Sequence, residues 1–487
     1  MNGAVDHDYV AAPFSFRFGI IVCEFVKKEG IMRKSETMDM VHGPLLKNLF
    51  LFSLPLIASY TLQIAFNAAD TIVVGKFSGA DGLAAVGATT PLVNLLISLF
   101  NGIAVGANIV IANMIGRQDQ NNIPRALHTS YWLALAGGIL LTALGFFLSE
   151  PMLAAISTPA DIIDQSVLYM RIYFAGSLPL LIYDFGSAIL RSKGDTVRPT
   201  VYLTVAGILN IILNLYTVIV LKMGVSGVAI ATVISEIVSA VLVTVSLMRQ
   251  SDATRLEWRQ IRLDRHIFSK IMRVGIPAGI QNMMWSVSNI AVQQAMNTFG
   301  SIVVAGNSAA LNLEGFVYVS MNAFTDACIT FTSQAAGAQD THQIRRVMRV
   351  TLILMTIASA SMGILLTVFG NSLLLLYTND PDVIVAGMVR MRYVVLWLWI
   401  NAVLDIPAAS MRGMDYSSTP TVVMMLGIVV VRLIYIATFW RAHPTLEMLY
   451  FCFPLSWVIT TIAMFLFWKR SYDHFCRTYG KPIKYEG

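Results

Sequence analysis

Residues 48–119 read NLFLFSLPLIASYTLQIAFNAADTIVVGKFSGADGLAAVGATTPLVNLLISLFNGIAVGANIVIANMIGRQD. They contain two apolar runs, near 46–73 and 85–113, parted by a short break around Lys76 and Asp81. About 20 apolar residues at 1.5 Å each cross the ~30 Å hydrocarbon layer of a bilayer as a helix. Working outward, runs of that length recur near 127–148, 163–189, 198–221 and 226–248. Six more lie near 268–295, 302–335, 347–369, 383–410, 419–440 and 447–468. In lipid only helices and closed barrels satisfy every backbone polar group, and these runs are too long and uniform for tilted barrel strands. The reading is an all-α membrane protein with twelve transmembrane helices. Composition agrees: 56% of the 487 residues are hydrophobic and 13% charged, where a soluble domain carries about 25% charged residues. That excludes a disordered chain, a coiled coil and nearly every water-soluble enzyme.

The basic residues orient the spans. Of 34 Lys and Arg, 27 fall in the terminal segments and in the loops after the second, fourth, sixth, eighth and tenth spans. Only Lys76, Lys222 and Arg441 fall in the opposite loops, and Arg171, Arg390, Arg392 and Arg432 lie within spans. The positive-inside rule then places both termini in the cytoplasm. Topology also explains the net charge of +6 without any nucleic-acid partner. The first 45 residues lack the charge-then-apolar order of a signal peptide and are expected to be a cytoplasmic tail; Met38 and Met40 offer later start sites.

The two halves of the chain match at one offset. Gly116-Arg117-Gln118-Asp119 aligns with Gly337-Ala338-Gln339-Asp340 at 221 residues, as do Met170-Arg171 with Met391-Arg392, Asp184 with Asp405, Arg191 with Arg412 and Pro199 with Pro420. Pro55 and Pro277 differ by 222. Each repeat holds an even number of spans, so both begin on the same side, and two six-helix lobes should be related by a pseudo-twofold along the membrane normal. The expected division is a tail over 1–45, an N-terminal lobe over 46–250, a cytoplasmic loop over 251–267, a C-terminal lobe over 268–470 and a cytoplasmic tail over 471–487. Such bundles can rock about a central cleft and alternate its access.

Charge inside a bilayer costs several kcal/mol unless partnered, protonated or wet. Gln63, Asn67, Asp70 and Thr71 recur at helical spacing on the first span, so one face of it must turn inward. Asn210 and Asn214 lie one turn apart on the fifth span, and Thr232 lies in the sixth. One carboxylate with amide and hydroxyl oxygens suits a hard cation such as Na⁺, and the same carboxylate suits a proton. Asp184 and Asp405 each precede an arginine, Arg191 and Arg412, by seven residues, which reads as a gating or structural ion pair in each half. Glu236, Glu314 and Asp326 are further interior acids expected to be paired, with Arg432 a candidate partner; Arg171 and Arg392 are placed to reach outward. Met283, Met284, Trp285, Met321, Trp397 and Trp399 are candidates to line an adaptable apolar cavity in the second lobe.

There is no GxxxxGK[ST], HExxH, GxSxG or CxxC motif, so neither ATP binding by a P-loop nor catalysis is expected. Cys23, Cys328, Cys452 and Cys476 are too scattered for a zinc site or a disulfide framework.

Residues 48–119, together with PLLIYDFGSAILRSKGDTVRP at 179–199 and AGNSAALNLEGFVYVSMNAFTDACITFTSQAAGAQD at 305–340, resemble the MATE (multidrug and toxic compound extrusion) family of cation-coupled exporters, in its prokaryotic DinF-like branch. The likeness runs from about residue 45 to 470. It implies export of cationic or amphipathic drugs against Na⁺ or H⁺. The family's first-helix Asp, upstream Gln and proline kink match Asp70, Gln63 and Pro55; its fifth-helix Asn and sixth-helix Thr match Asn210 and Thr232. Many members carry a second Asp where this chain has Asn214, and Trp285 stands near the seventh-helix Glu of some relatives. The coupling ion, Na⁺ at Asp70, Asn210, Asn214 and Thr232 or H⁺ at Asp70, therefore stays open. A monomer in the plasma membrane with no other cofactor is expected. The alternative is a lipid-linked oligosaccharide flippase of the same superfamily, which would need several Lys or Arg in its central cavity.

Overall fold

Among the described residues, twelve long helices follow one another along the chain. The first six are α1 (Leu45–Phe77), α2 (Gly79–Gly116), α3 (Asn122–Ala155), α4 (Ile163–Ala175, continuing as Ser177–Ser192), α5 (Val197–Val220) and α6 (Gly224–Met248). The second six are α7 (Arg265–Asn297), α8 (Ser301–Gly337), α9 (Thr341–Val368), α10 (Pro381–Gly413), α11 (Ser418–Trp440) and α12 (Leu446–Tyr479). The computed structural model describes residues 38–156 and 158–479; the expected tail up to residue 37, Cys23 and residues 480–487 lie outside the described residues. Among the described residues ten helices are long and apolar enough to cross a membrane, and α4, bent by 45° at Gly176, makes an eleventh. The twelfth, α7, carries Gln281, Asn282, Asn289 and Gln293 along its length, and those side chains line an internal cavity rather than meeting lipid. Ile139, Phe147, Val368 and Leu376 are each more than 60% exposed on the outside of the bundle, the surface that hydrocarbon covers.

The two halves repeat each other in detail. α1 packs on α5 as α7 packs on α11; α2 packs on α4 as α8 packs on α10. The proline inside α1 and the one inside α7 cannot donate to the preceding turn. Each proline's own carbonyl accepts a hydroxyl from the neighbouring helix, Thr200 to Pro55 at 3.0 Å and Thr421 to Pro277 at 3.0 Å. The Gly-x-Gln-Asp motif is a helix end joined to a helix start. Gln118 and Gln339 both take φ 58°, a left-handed turn that lets the following amides reach back to the orphan carbonyls of α2 and α8. The next residue then caps the following helix: Asp119 accepts from the Asn122 amide at 3.2 Å and Asp340 from the Gln343 amide at 2.8 Å. The duplicated motif is thus a connector, placed on the face that carries the basic loops.

Helices α1 to α6 form one lobe and α7 to α12 the other, and each apolar core borrows from across the interface: Leu45, Leu49, Phe52 and Leu56 of α1 join the core of the second lobe, and Ile267 and Ile271 of α7 join that of the first. The interface obeys the pseudo-twofold: α2 packs along α7 and α8 along α1, two contacts that the operation exchanges, while α2 meets α8 across the axis. Near the basic-loop face this contact is backbone on backbone. A Cβ added to Gly116 would land on the Gln334 backbone, and one added to Gly337 on the Asn113 backbone; Asn113 and Gln334 are themselves repeat mates. Small residues allow this approach between membrane helices. Asn108 adds a hydrogen bond to Thr330 at 2.9 Å, and Gln334 one to the Ser192 carbonyl at 2.8 Å.

Candidate functional site: polar clusters within the lobes

In the first lobe, Asp70 projects from α1 and accepts a hydrogen bond from the Asn214 amide of α5. Asn214 also donates to the Asn210 carbonyl oxygen at 3.1 Å, and Asn210 donates to the Thr232 hydroxyl of α6 at 3.3 Å. One turn of α5 sets Asn210 and Asn214 on the same face, so a single polar chain runs across three helices. Asn214 is fully buried, and its Oδ1 has no partner. Asp70 has no Lys or Arg within ion-pair distance among the described residues. Carboxylate, amide and hydroxyl oxygens thus converge where a small cation or a proton can be held. Gln63 and Asn67 remain exposed on α1, two turns and one turn away, and Gln63 makes no bond to the cluster. Glu236 on α6 lies with its carboxylate against the bend of α4, where a Cβ on Gly176 would come within 2.8 Å of its Oε2. Among the described residues Glu236 has no basic partner, contrary to its expected pairing.

The two expected gating pairs do not form. Seven residues place Asp184 and Arg191 on one helix face but about 10.5 Å apart along the axis, and the same holds for Asp405 and Arg412. Arg191 instead reaches across the lobe interface to Asp326 of α8, at 3.0 Å, and the same carboxylate accepts the Tyr60 hydroxyl of α1 at 2.6 Å. Arg412 donates to Gln281 of α7. Tyr60 and Asp326 therefore form, with Arg191, a polar bolt between the lobes that no sequence spacing announced. Asp326→Asn removes the charge that Arg191 and Tyr60 share, weakening the closed interface by about 2 kcal/mol, the usual worth of a hydrogen bond to a charged group. A single cysteine at Ser192 should then react several-fold faster with a membrane-impermeant maleimide; an unchanged rate would show that the bolt contributes nothing to closure.

The second lobe holds a cavity of about 430 Å³, lined from α7, α8, α10 and α12. Its lining corrects the expectation of a Met- and Trp-rich surface. Of those candidates only Trp285 reaches it; the rest of the wall is largely amide and charge, including Asn282, Asn289, Gln293, Asn322, Asn401 and Asp405. Glu314 and Arg390 form a buried ion pair at 2.7 Å, with Arg390 also donating to Asn307 at 2.8 Å. Among the described residues Arg432 pairs with no acid. It lies over Phe453 at 4.3 Å and near Trp285 and Trp457, and it donates to Ser456 and Ser288; that aromatic sleeve is why none of the interior carboxylates reaches it. Arg171 pairs with Glu150 at 3.3 Å, and Arg392 is exposed, as their outward placement requires.

Two matched helical bundles with polar clusters turned inward, set in a lipid-facing shell, define a two-lobe membrane transporter rather than an enzyme. A model of the MatE family matches residues 55–216 and again 277–438, one match in each lobe and 222 residues apart, and the chain belongs to that family. The chain is 28% identical to the probable multidrug resistance protein YoeA of Bacillus subtilis, over 78% of this chain and 84% of that one. It is 25% identical to the probable multidrug resistance protein NorM of Thermotoga maritima, over 80% and 84%. Among solved structures, an outward-facing multidrug resistance MATE transporter superposes with a TM-score of 0.85 at 20% identity, covering 91% of this chain and all of that one.

Proposed function

We propose that this MatE-family transporter is a secondary active exporter of cationic or amphipathic small molecules, driven by antiport with Na⁺ or H⁺ through alternating access. The observation that carries the reading is the Asp70–Asn214–Asn210–Thr232 chain, a carboxylate inside the bundle held by a neutral amide alone. A permanently ion-paired acid has no reason to exchange a cation; an acid held by amides does. The multidrug names of the relatives favour drug export over the flippase alternative. In the proposed cycle, substrate enters the cleft from the cytoplasm while Asp70 is empty. In the opposite state, closed at the basic-loop face as here, Na⁺ or H⁺ binds Asp70 and reshapes α1, with Pro55 as its pliable point. Substrate affinity falls and the drug leaves. The membrane potential contributes about 2.3 kcal/mol per charge per 100 mV. The termini and the basic loops are placed in the cytoplasm, and the protein in the plasma membrane as a monomer.

The test is dye efflux from proteoliposomes under a pH gradient alone and then a Na⁺ gradient alone. One of the two should drive accumulation against the dye's own gradient. If neither does, for a panel of cationic dyes, the antiport reading is wrong.

A further inference from the structure

The two lobes are chemically unequal, and the inequality traces to one pair of repeat mates. Arg191 and Arg412 occupy corresponding places, and so do their neighbours Tyr60 and Gln281, at the same offset of 221. Arg191 finds Asp326 across the interface. The residue corresponding to Asp326 in the first lobe is Val105, which packs on the apolar core of the second lobe. Arg412 therefore has no acid within ion-pair distance among the described residues. It makes a bond to the neutral Gln281, and its Nε is buried without any partner. It faces the 430 Å³ cavity.

The cavity wall itself carries Arg390 and Arg412 with Glu314 and Asp405. Facing the interior of the second lobe are three guanidinium groups, of Arg390, Arg412 and Arg432, and two carboxylates, of Glu314 and Asp405. Glu314 is taken by Arg390. Arg432 backs the cavity wall through Trp285 and Phe453. Facing the interior of the first lobe are Asp70, Asp184 and Glu236, none of them ion-paired among the described residues, while Arg191 is neutralised by Asp326. One lobe is thus acidic and the other carries surplus positive charge. Asn401, fully buried on the cavity wall with both amide atoms unpartnered, shows that the space is lined for a polar occupant.

We infer that the cavity of the second lobe binds the acidic group, a carboxylate or a comparable compact anion, of a transported molecule, and that Arg412 is the residue that selects it. The guanidinium offers planar donors suited to a carboxylate, and its charge-assisted bonds are the strong ones. Asp405 stands two turns along the same helix, so the other end of the ligand is neutral or cationic. The proposal deepens the transport reading, on which it rests: the cation that drives the cycle belongs to the first lobe, and the acidic end of the cargo to the second.

The probes are rhodamine B, which has a free carboxylate, and its ethyl ester, which does not. Binding is followed by fluorescence anisotropy with the purified full chain in detergent, with no gradient present. The unmodified protein should bind rhodamine B at least tenfold more tightly than the ester. Arg412→Gln should abolish the preference, so that the two dyes bind alike. Val105→Asp, which gives Arg412 the partner that Arg191 already has, should abolish it with the guanidinium still in place. Equal affinity of the unmodified protein for the two dyes overturns the inference even if neither variant folds, and so does a preference that survives in folded Arg412→Gln. Antiport is judged separately by the gradient assay: cation efflux without dye preference removes only this inference, and dye preference without gradient-driven flux removes only the antiport.

Discussion

Asp70→Asn abolishes gradient-driven efflux to the level of protein-free vesicles while leaving the fold in place. The substituted amide has the size of the carboxylate and can turn its oxygen to the Asn214 amide, which keeps the hydrogen bond that Asp70 accepts. What it removes is the negative charge, hence the only group in the Asp70–Asn214–Asn210–Thr232 chain that changes state with a cation or proton. Loss of transport with little change in thermal unfolding is the expected pattern. A second substitution sharpens it. Asn214→Asp on the Asp70→Asn background moves the carboxylate across the same hydrogen bond, and should restore part of the flux. Undiminished efflux by the single variant would take Asp70 out of the cycle altogether.

The largest expected loss of stability lies in the other lobe. Arg390→Met leaves Glu314, 3% exposed, without the guanidinium that meets it at 2.7 Å. Stripping one member from a buried ion pair costs about 3–5 kcal/mol, because the remaining charge is neither hydrated nor balanced. Removing both together, as Arg390→Met with Glu314→Leu, should recover most of that loss. Thermal unfolding in detergent separates these outcomes: the double variant should melt well above the single one. If both melt alike, the ion pair is not what sets the stability of the α8–α10 contact. The ring of Tyr450 and the Asn307 amide that also hold Arg390 would then be the dominant partners.

The spans were legible in the sequence because they rest on local spacing, and the repeat because one offset persists; that Asp70 shares a site with Asn210 and Thr232 on other helices was implied by the family resemblance, and Asn214 lies 144 residues from Asp70. Asn210 and Asn214 share a face by one turn of helix, and Gly116–Asp119 recurs as Gly337–Asp340 because a helix end and a helix start need the same chemistry twice. Partnerships across the fold were not legible. Asp326 and Arg191 are 135 residues apart, and nothing in the neighbourhood of either names the other; the nearer Asp184 was the natural but wrong partner, because a shared face does not imply contact over two turns. The polar cavity was missed for a different reason. The Met and Trp residues of α7 suggest an apolar wall, whereas the signal lies in the amides around them. A bilayer-length segment that carries Gln281, Asn282, Asn289 and Gln293, and alone of the twelve is too polar to pass as a span, has to line something wet. Gln63 shows the reverse error, a residue on the right stripe of α1 but too far along it to join the cluster.

Gly116 against Gln334 and Gly337 against Asn113 leave no side chain between the lobes at their tightest point. A seam of main chain on main chain cannot loosen by degrees, as a rotamer-filled joint can; it fits or it parts. Such a joint makes the machine a switch rather than a valve. In the antiport proposed for this protein, a pathway that never stands half ajar would give stray ions no route to slip through uncoupled.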